Sequence, residues 1–201
     1  MVMLYFFCLR LLVPVSKIFY KVEYKGTGNI PQSGKLIVCS NHKSVVDPFF
    51  LAVPFRRQIR YMAKSELFEK HGRLARWWLY QMGAFPVVRN SADAQSVKTA
   101  LMVLKNGGVL GIFPQGKCVF DNAPFRPKAG VAMMADRAQA PVLPVSIYCD
   151  GVIKPFSRIT VRFGKPVSCS ELGLKDHSSA SIRAAAEIIA QKINGMLEEK
   201  Y

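Results

Sequence analysis

Short apolar runs and helical stripes alternate along most of the chain. Residues 36–40 (LIVCS), 59–63 (IRYMA), 109–113 (VLGIF), 142–148 and 158–163 are rich in β-branched or aromatic side chains and are bounded by Gly, Pro, Asn or Asp, the pattern of strands. Residues 21–34, rich in Gly and carrying Pro31, read as a further extended strand followed by a turn. Between these runs, 92–106 places Val97, Leu101 and Leu104 at helical spacing and stops at Asn106-Gly107-Gly108. Residues 73–82 and 128–138 also read as helices, and 178–199 sets Ile182, Ile189, Ile193 and Met196 on one stripe with charges opposite. Strands that alternate with helices predict an α/β fold, with a mixed, largely parallel central sheet flanked by helices. Ligands of such sheets sit beyond the carboxyl ends of the strands, so the loops that follow them are where chemistry is expected.

The first twenty residues, MVMLYFFCLRLLVPVSKIFY, break this alternation. They lack the basic start and small-residue cleavage site of a removable signal peptide. Arg10, Pro14 and Lys17 cut the apolar run into pieces too short for an unambiguous spanning helix. The segment instead suits an interfacial anchor, with Phe6, Phe7, Leu9, Leu11, Leu12 and Val13 among acyl chains and the cations reaching the headgroups. Its competitor is a helix packed on the protein's own core. The expected division is therefore a membrane-associated helix over 1–22 and one α/β domain over 23–201, a length at which a single core is well supported.

Twenty-eight Lys and Arg against thirteen Asp and Glu give a net charge of +15, so the surface field attracts polyanions: nucleic acid, anionic phospholipid, coenzyme A or an acidic carrier protein. The basic residues are scattered from Arg10 to Lys200 rather than gathered into a tail, and no nucleic-acid reader motif is present, so nucleic acid is not an expected partner. The five cysteines are odd in number and form no C-x-x-C pair, which indicates neither a disulfide framework nor a zinc knuckle. A reducing compartment follows.

The loop after 36–40 reads N-H-K-S-V-V-D over residues 41–47. It sets His42 and Asp47 five apart where a strand gives way to a helix. An imidazole accepts a proton near neutral pH when a carboxylate on its other nitrogen fixes the tautomer, and five residues in a turn allow Asp47 to fold back onto His42. Ser44 beside them suits a helix cap better than a nucleophile. His42 and Asp47 have no third partner that suggests a metal site, since His71 and His177 lie in unrelated segments.

Three further segments follow in order. Residues 83–89 read G-A-F-P-V-V-R, residues 113–118 read F-P-Q-G-K-C, and residues 142–146 read V-L-P-V-S. With 41–47, and with the flanking A-K-S-E-L at 63–67 and F-R-P-K-A-G at 125–130, the chain resembles the glycerolipid acyltransferases, specifically the 1-acylglycerol-3-phosphate acyltransferases. The first block, N-H-x-S-x-x-D, is matched in full; the third, F-P-E-G-T-R, only in part, since Gln115 stands for the glutamate and Lys117-Cys118 for Thr-Arg. The likeness spans roughly residues 30–165.

That resemblance implies an enzyme. It moves a fatty acyl group from acyl-CoA or acyl carrier protein, used as a co-substrate with no other cofactor and no metal, to the sn-2 hydroxyl of 1-acylglycerol 3-phosphate. The product is phosphatidate, and the setting is the cytoplasmic face of the membrane, with an anionic lipid surface as a further partner. His42 acts as general base and Asp47 orients it, the logic of the hydrolase triad with the substrate's oxygen in place of serine, so no acyl-enzyme is required. Asn41, Ser44, Arg89, Gln115, Gly116, Lys117 and Lys128 are the expected substrate-binding residues. Arg89 grips phosphate with its planar fork, Gly116 lets backbone amides approach an anion and Lys117 adds a point charge; Arg126 is a second candidate beside Lys128. Cys118 receives no role, although a thiol beside Lys117 would be reactive. Trp77 and Trp78 are read either as core or as bilayer contacts. The altered third block leaves acceptor identity open. A family member with another lyso-lipid acceptor, a basic lipid-binding protein without catalysis and a thioester hydrolase are the competing readings.

Overall fold

The computed structural model describes residues 2–88 and 93–198. Helix α1 (Val2–Phe19) leads into β1 (Lys21–Lys25), β2 (Leu36–Ser40), α2 (Asp47–Ala52), β3 (Ile59–Lys64), α3 (Glu66–Glu69), α4 (Gly72–Gln81) and β4 (Ala84–Val87). There follow α5 (Ala94–Lys105), β5 (Val109–Ile112), α6 (Gly130–Ala138), β6 (Val142–Cys149), β7 (Arg158–Phe163) and α7 (Ser179–Glu198). The strands form one seven-stranded sheet in the order β1-β7-β6-β2-β5-β3-β4. From β6 to β4 every pairing is parallel; β7 runs antiparallel to β6 and β1 runs parallel with β7. This is the mixed, largely parallel sheet that the alternation predicts.

Apolar runs at the sheet's centre are buried on both faces, which is why β2 and β6 read as continuous hydrophobic strings. On one face, Ile37, Cys39, Leu110 and Val142 pack under α5, α6 and α7 through Leu104, Val131, Ala135, Ile189 and Ile193. On the other, Leu36, Val38, Val145, Ile147, Ile159 and Val161 pack under Phe50, Leu51 and Phe55 of α2 and the turn after it. Pro86 sits in β4, at the sheet's edge, the position where a missing N–H is tolerated.

β2 lies between β5 and β6. The chain leaves β2 for β3 on one side, while β5 connects across β2 to β6 on the other. The carboxyl ends of β2 and β5 therefore open onto one crevice, the place where an open parallel sheet collects its ligand.

Helix α1 has one face in the protein's core and one face outward. Tyr5, Cys8 and Leu9 are buried, and Tyr5 and Leu9 pack with Ala52, Phe49 and Met82. Leu9, expected among acyl chains, is thus part of the protein's own core. Phe7, Leu11, Val15 and Ile18 form the opposite stripe and are 47–69% exposed. Among the described residues no helix is long and apolar enough to cross a membrane.

Candidate active site

The turn after β2 is built around one carboxylate. Asp47 is fully buried, and its Oδ2 accepts from the Lys43 N–H at 2.6 Å, the Ser44 N–H at 2.8 Å and the His42 Nδ1 at 2.8 Å. The Asp47 N–H in turn donates to the Ser44 carbonyl at 3.1 Å. A five-residue spacing that would miss one face of a regular helix is thereby closed by backbone donors. Because an ionised carboxylate only accepts, Nδ1 carries the ring proton and Nε2 presents its lone pair.

The ring is also held from above and behind. Phe113, just past β5, stacks on His42 with ring centroids 4.1 Å apart, and Tyr61 of β3 stacks on Phe113 at 6.1 Å. The Tyr61 hydroxyl donates to the Pro48 carbonyl at 2.9 Å. Gly111 of β5 makes room for this: a Cβ there would lie 2.4 Å from the Tyr61 ring. Gln115 accepts from the His42 backbone N–H at 2.6 Å through Oε1. An amide oxygen does here what a carboxylate oxygen would do, which explains how glutamine stands in the third block without loosening the histidine.

Sequence reasoning passed over Lys43. It is 1% exposed, and its Nζ donates to the Phe120 and Asp121 carbonyls at 3.0 and 3.1 Å and to Asn122 Oδ1 at 2.7 Å. Burial lowers its pKa, an effect opposed by the nearby Cys149, Asp121, Asp47 and Asp150. Three acceptors match the three donors of the ammonium, so the lysine straps the loop over 118–122 onto the turn after β2. The Val119 N–H donates to the His42 carbonyl at 2.7 Å as a second strap. Cys118, given no role from sequence, is brought by these straps to 3.4 Å between its Sγ and His42 Nε2.

The expected substrate-binding residues divide. His42, Gly116 and Lys128 line a cavity of about 1540 Å³ whose walls are mostly apolar, among them Leu9, Phe49, Met62, Trp78, Val97 and Leu101. Gly116, at φ 70°, seats the Lys128 side chain: a Cβ there would lie 3.0 Å from Nζ. Lys117 is exposed and lines a separate hollow with Cys118. Asn41 is 2% exposed and spends its amide on the β6 backbone, donating to the Ile147 carbonyl at 2.9 Å and accepting from its N–H at 2.7 Å. The side chain extends the β2–β6 ladder past the strand's end. Ser44 belongs to the Asp47 turn, its hydroxyl accepting from the Val46 N–H at 3.4 Å. Arg89 lies outside the described residues. Trp77 and Trp78 are 48% and 41% exposed, which removes them from the core.

Residues 21–148 match the acyltransferase family, whose description is simply "Acyltransferase". This chain belongs to the acyltransferase family. Among its relatives is the 1-acyl-sn-glycerol-3-phosphate acyltransferase of Bacillus subtilis, 32% identical over 149 residues that cover 71% of this chain and 70% of that protein. The enzyme of the same name from Streptococcus pneumoniae is 29% identical over 183 residues, 88% of this chain and 66% of the relative. The crystal structure of PlsC, the 1-acyl-sn-glycerophosphate acyltransferase of Thermotoga maritima, superposes with a TM-score of 0.70 at 25% identity, covering 92% of this chain and 76% of that one. In this acyltransferase the His42–Asp47 pair stands at the wall of the apolar cavity, with His42 among the lining residues.

Proposed function

We propose that this acyltransferase makes phosphatidate, moving a fatty acyl group from an acyl-CoA or acyl carrier protein thioester to the sn-2 hydroxyl of 1-acylglycerol 3-phosphate. The observation that carries the reading is the His42–Asp47 pair, 2.8 Å apart, at a cavity that is predominantly apolar and large enough for acyl chains. His42 Nε2 takes the proton of the acceptor hydroxyl as its oxygen attacks the acyl carbon, and Asp47 steadies the imidazolium that forms. Base catalysis of this kind contributes about 10² to 10⁴ in rate, while fixing both substrates contributes ~7–11 kcal/mol, so the cavity's grip matters more than the proton. Lys128, seated over Gly116, is the motif cation on a cavity wall that also carries Lys35, Lys64, Lys98, Lys105 and Arg137, and it suits the acceptor's phosphate. Arg89 is the other cation assigned to it.

The working surface is a membrane. The outward stripe of α1, Phe7, Leu11, Val15 and Ile18, with Arg10 and Lys17 exposed beside it, suits a helix lying in the interface with its cations at anionic headgroups. Leu12 of the same helix lines the cavity, so an acceptor enters from the lipid without crossing water. Attachment to the cytoplasmic face, peripheral or monotopic, accords with five thiols that form no disulfide.

Lys117 and Cys118 at the third block favour a second reading, a lyso-acceptor with a different headgroup. Purified protein in mixed micelles, given both donor classes and a panel of lyso-lipids, separates the two. Ester formation on 1-acylglycerol 3-phosphate with the highest kcat/KM supports the leading reading; transfer only to other acceptors replaces it.

A further inference from the structure

The β6–β7 connection ends in a tight turn over residues 154–157. The Ser157 N–H donates to the Lys154 carbonyl at 3.0 Å, and the Ser157 hydroxyl accepts from the Lys154 N–H at 3.0 Å. Pro155 and Phe156 are the central pair, and Phe156 has φ 69°. This is the type II pattern: proline is favoured at the second position, and the positive φ at the third calls for glycine or asparagine. A bulky side chain there is an outlier that local folding does not select. Among the described residues, the other non-glycines at positive φ are Gln139 and His177, both polar. Nor does packing account for the ring, since Phe156 is 70% exposed; its neighbour Phe19, with ring centroids 6.4 Å apart, is itself 44% exposed.

The turn is fastened to the end of α1. The Phe156 N–H donates to the Phe19 carbonyl, and the Lys21 N–H to the Ser157 carbonyl at 3.0 Å. The outward stripe of α1 thus continues through Ile18 and Phe19 to Phe156, with Val152 of the same connection also exposed. Around them Lys17, Lys21, Lys154 and Arg158 are exposed, against Asp150 and Glu23, of which Glu23 is paired with Lys25 at 3.5 Å. Because β6 is parallel with β2, the turn stands at the same end of the sheet as His42, and Asp150 and Gly151 border the hollow that also holds Cys118. Apolar tips among cations are the composition of an interfacial contact with anionic lipid.

We propose that the 154–157 turn is a second membrane contact of this protein, placing Phe156 and Val152 at the acyl boundary of an anionic bilayer with Lys154 and Arg158 at the headgroups. The proposal rests on the membrane-surface reading of α1 and adds an anchor to it. A helix lying in an interface leaves the attached body free to rock about the helix axis. A contact off that axis, at the active-site end of the sheet, removes this freedom and holds the His42 end against the lipid. The unfavourable φ and the bare ring are then offset by burial in the bilayer, since an interfacial contact strengthens with the apolar area it buries.

The test measures partition of the full chain onto vesicles of phosphatidylglycerol and phosphatidylcholine by flotation, with melting curves and turnover in parallel. Phe156→Asn supplies a residue that the turn prefers, so its melting temperature should equal or exceed the parent's, while partition weakens about tenfold. Turnover should fall on vesicle-borne acceptor and stay within about twofold in mixed micelles. Lys154→Gln should weaken partition about fivefold on these vesicles and leave it unchanged on phosphatidylcholine alone. Phe156→Trp should bind as the parent does and show quenching by brominated lipid beyond that of Trp77 and Trp78. Phe156→Asn floating as the parent does, or Phe156→Trp without added quenching, overturns the proposal; the quenching is read on bound protein and does not depend on how the asparagine variant folds. If Leu11→Ser detaches the protein and Phe156→Asn does not, the α1 reading stands and only the turn's role falls, whereas a parent that binds no vesicles removes both.

Discussion

The molecule contains two histidine–carboxylate pairs of nearly the same geometry. His42 Nδ1 lies 2.8 Å from Asp47 Oδ2, and His177 Nδ1 lies 2.7 Å from Asp136 Oδ1. Their surroundings differ in every respect that matters to chemistry. Asp47 is fully buried with three donors on one oxygen, and its histidine is 14% exposed, stacked on Phe113 and open to an apolar cavity. His177 is 65% exposed, lines neither hollow, and ties the start of α7 to the end of α6. A short imidazole–carboxylate contact therefore occurs here in two settings, of which the proposed function uses one. General-base catalysis needs a fixed tautomer, the exclusion of water and a space where a reacting carbon fits, and the surroundings of His42 are the ones that suit it.

Substitutions at the two pairs should separate accordingly. His42→Ala is expected to cut kcat about 10³- to 10⁴-fold while vesicle flotation shows unchanged lipid binding. Asp47→Asn should follow, at about 10²- to 10³-fold, because the amide no longer fixes the Nδ1 tautomer; initial rates across a pH series check this. Gly111→Ala tests whether the aromatic stack is part of the difference. The added methyl meets the Tyr61 ring, and the expected cost is about 1–3 kcal/mol in chemical denaturation with a smaller loss of turnover, roughly tenfold. Gln115→Glu, which keeps an oxygen for the His42 N–H, should leave kcat within about threefold. His177→Ala should leave kcat unchanged and lower stability by about 0.5 kcal/mol or less, read as a small shift of the melting curve. A turnover loss at His177 comparable to that at His42 would erase the distinction.

Much of this was readable before any coordinates. β2, β5, β6 and β7 are Val/Ile-rich runs closed by Gly, Pro, Asn or Asp, and their limits agree with expectation to within a residue. The short helices α2 and α3, of six and four residues, are too brief for a helical period to show. Strand order was hidden as well, since β1 pairs with β7 across most of the chain and nothing local encodes that partner.

The same limit applied at the site. His42 and Asp47 were legible because five residues in one turn bring them together. Lys43 was not, because its acceptors lie 77–79 residues away; a lysine between a histidine and a serine reads as solvated until a loop closes over it. Tyr61 and Gly111 become meaningful only once β3 and β5 are neighbours. Asn41 shows a contact the motif does not announce. As a member of a motif it reads as substrate-binding, yet its amide lengthens a sheet.

The proposed reaction turns on Nε2 of one imidazole receiving a proton from a lipid alcohol at the edge of a dry cavity. Single-turnover transfer from a labelled acyl thioester to 1-acylglycerol 3-phosphate, with His42→Ala compared at equal vesicle occupancy, measures that most directly. Phosphatidate from the parent protein and a loss of about 10³-fold or more in the variant is the predicted result. Equal rates from both proteins, or hydrolysis of the thioester with no ester formed by either, would contradict it.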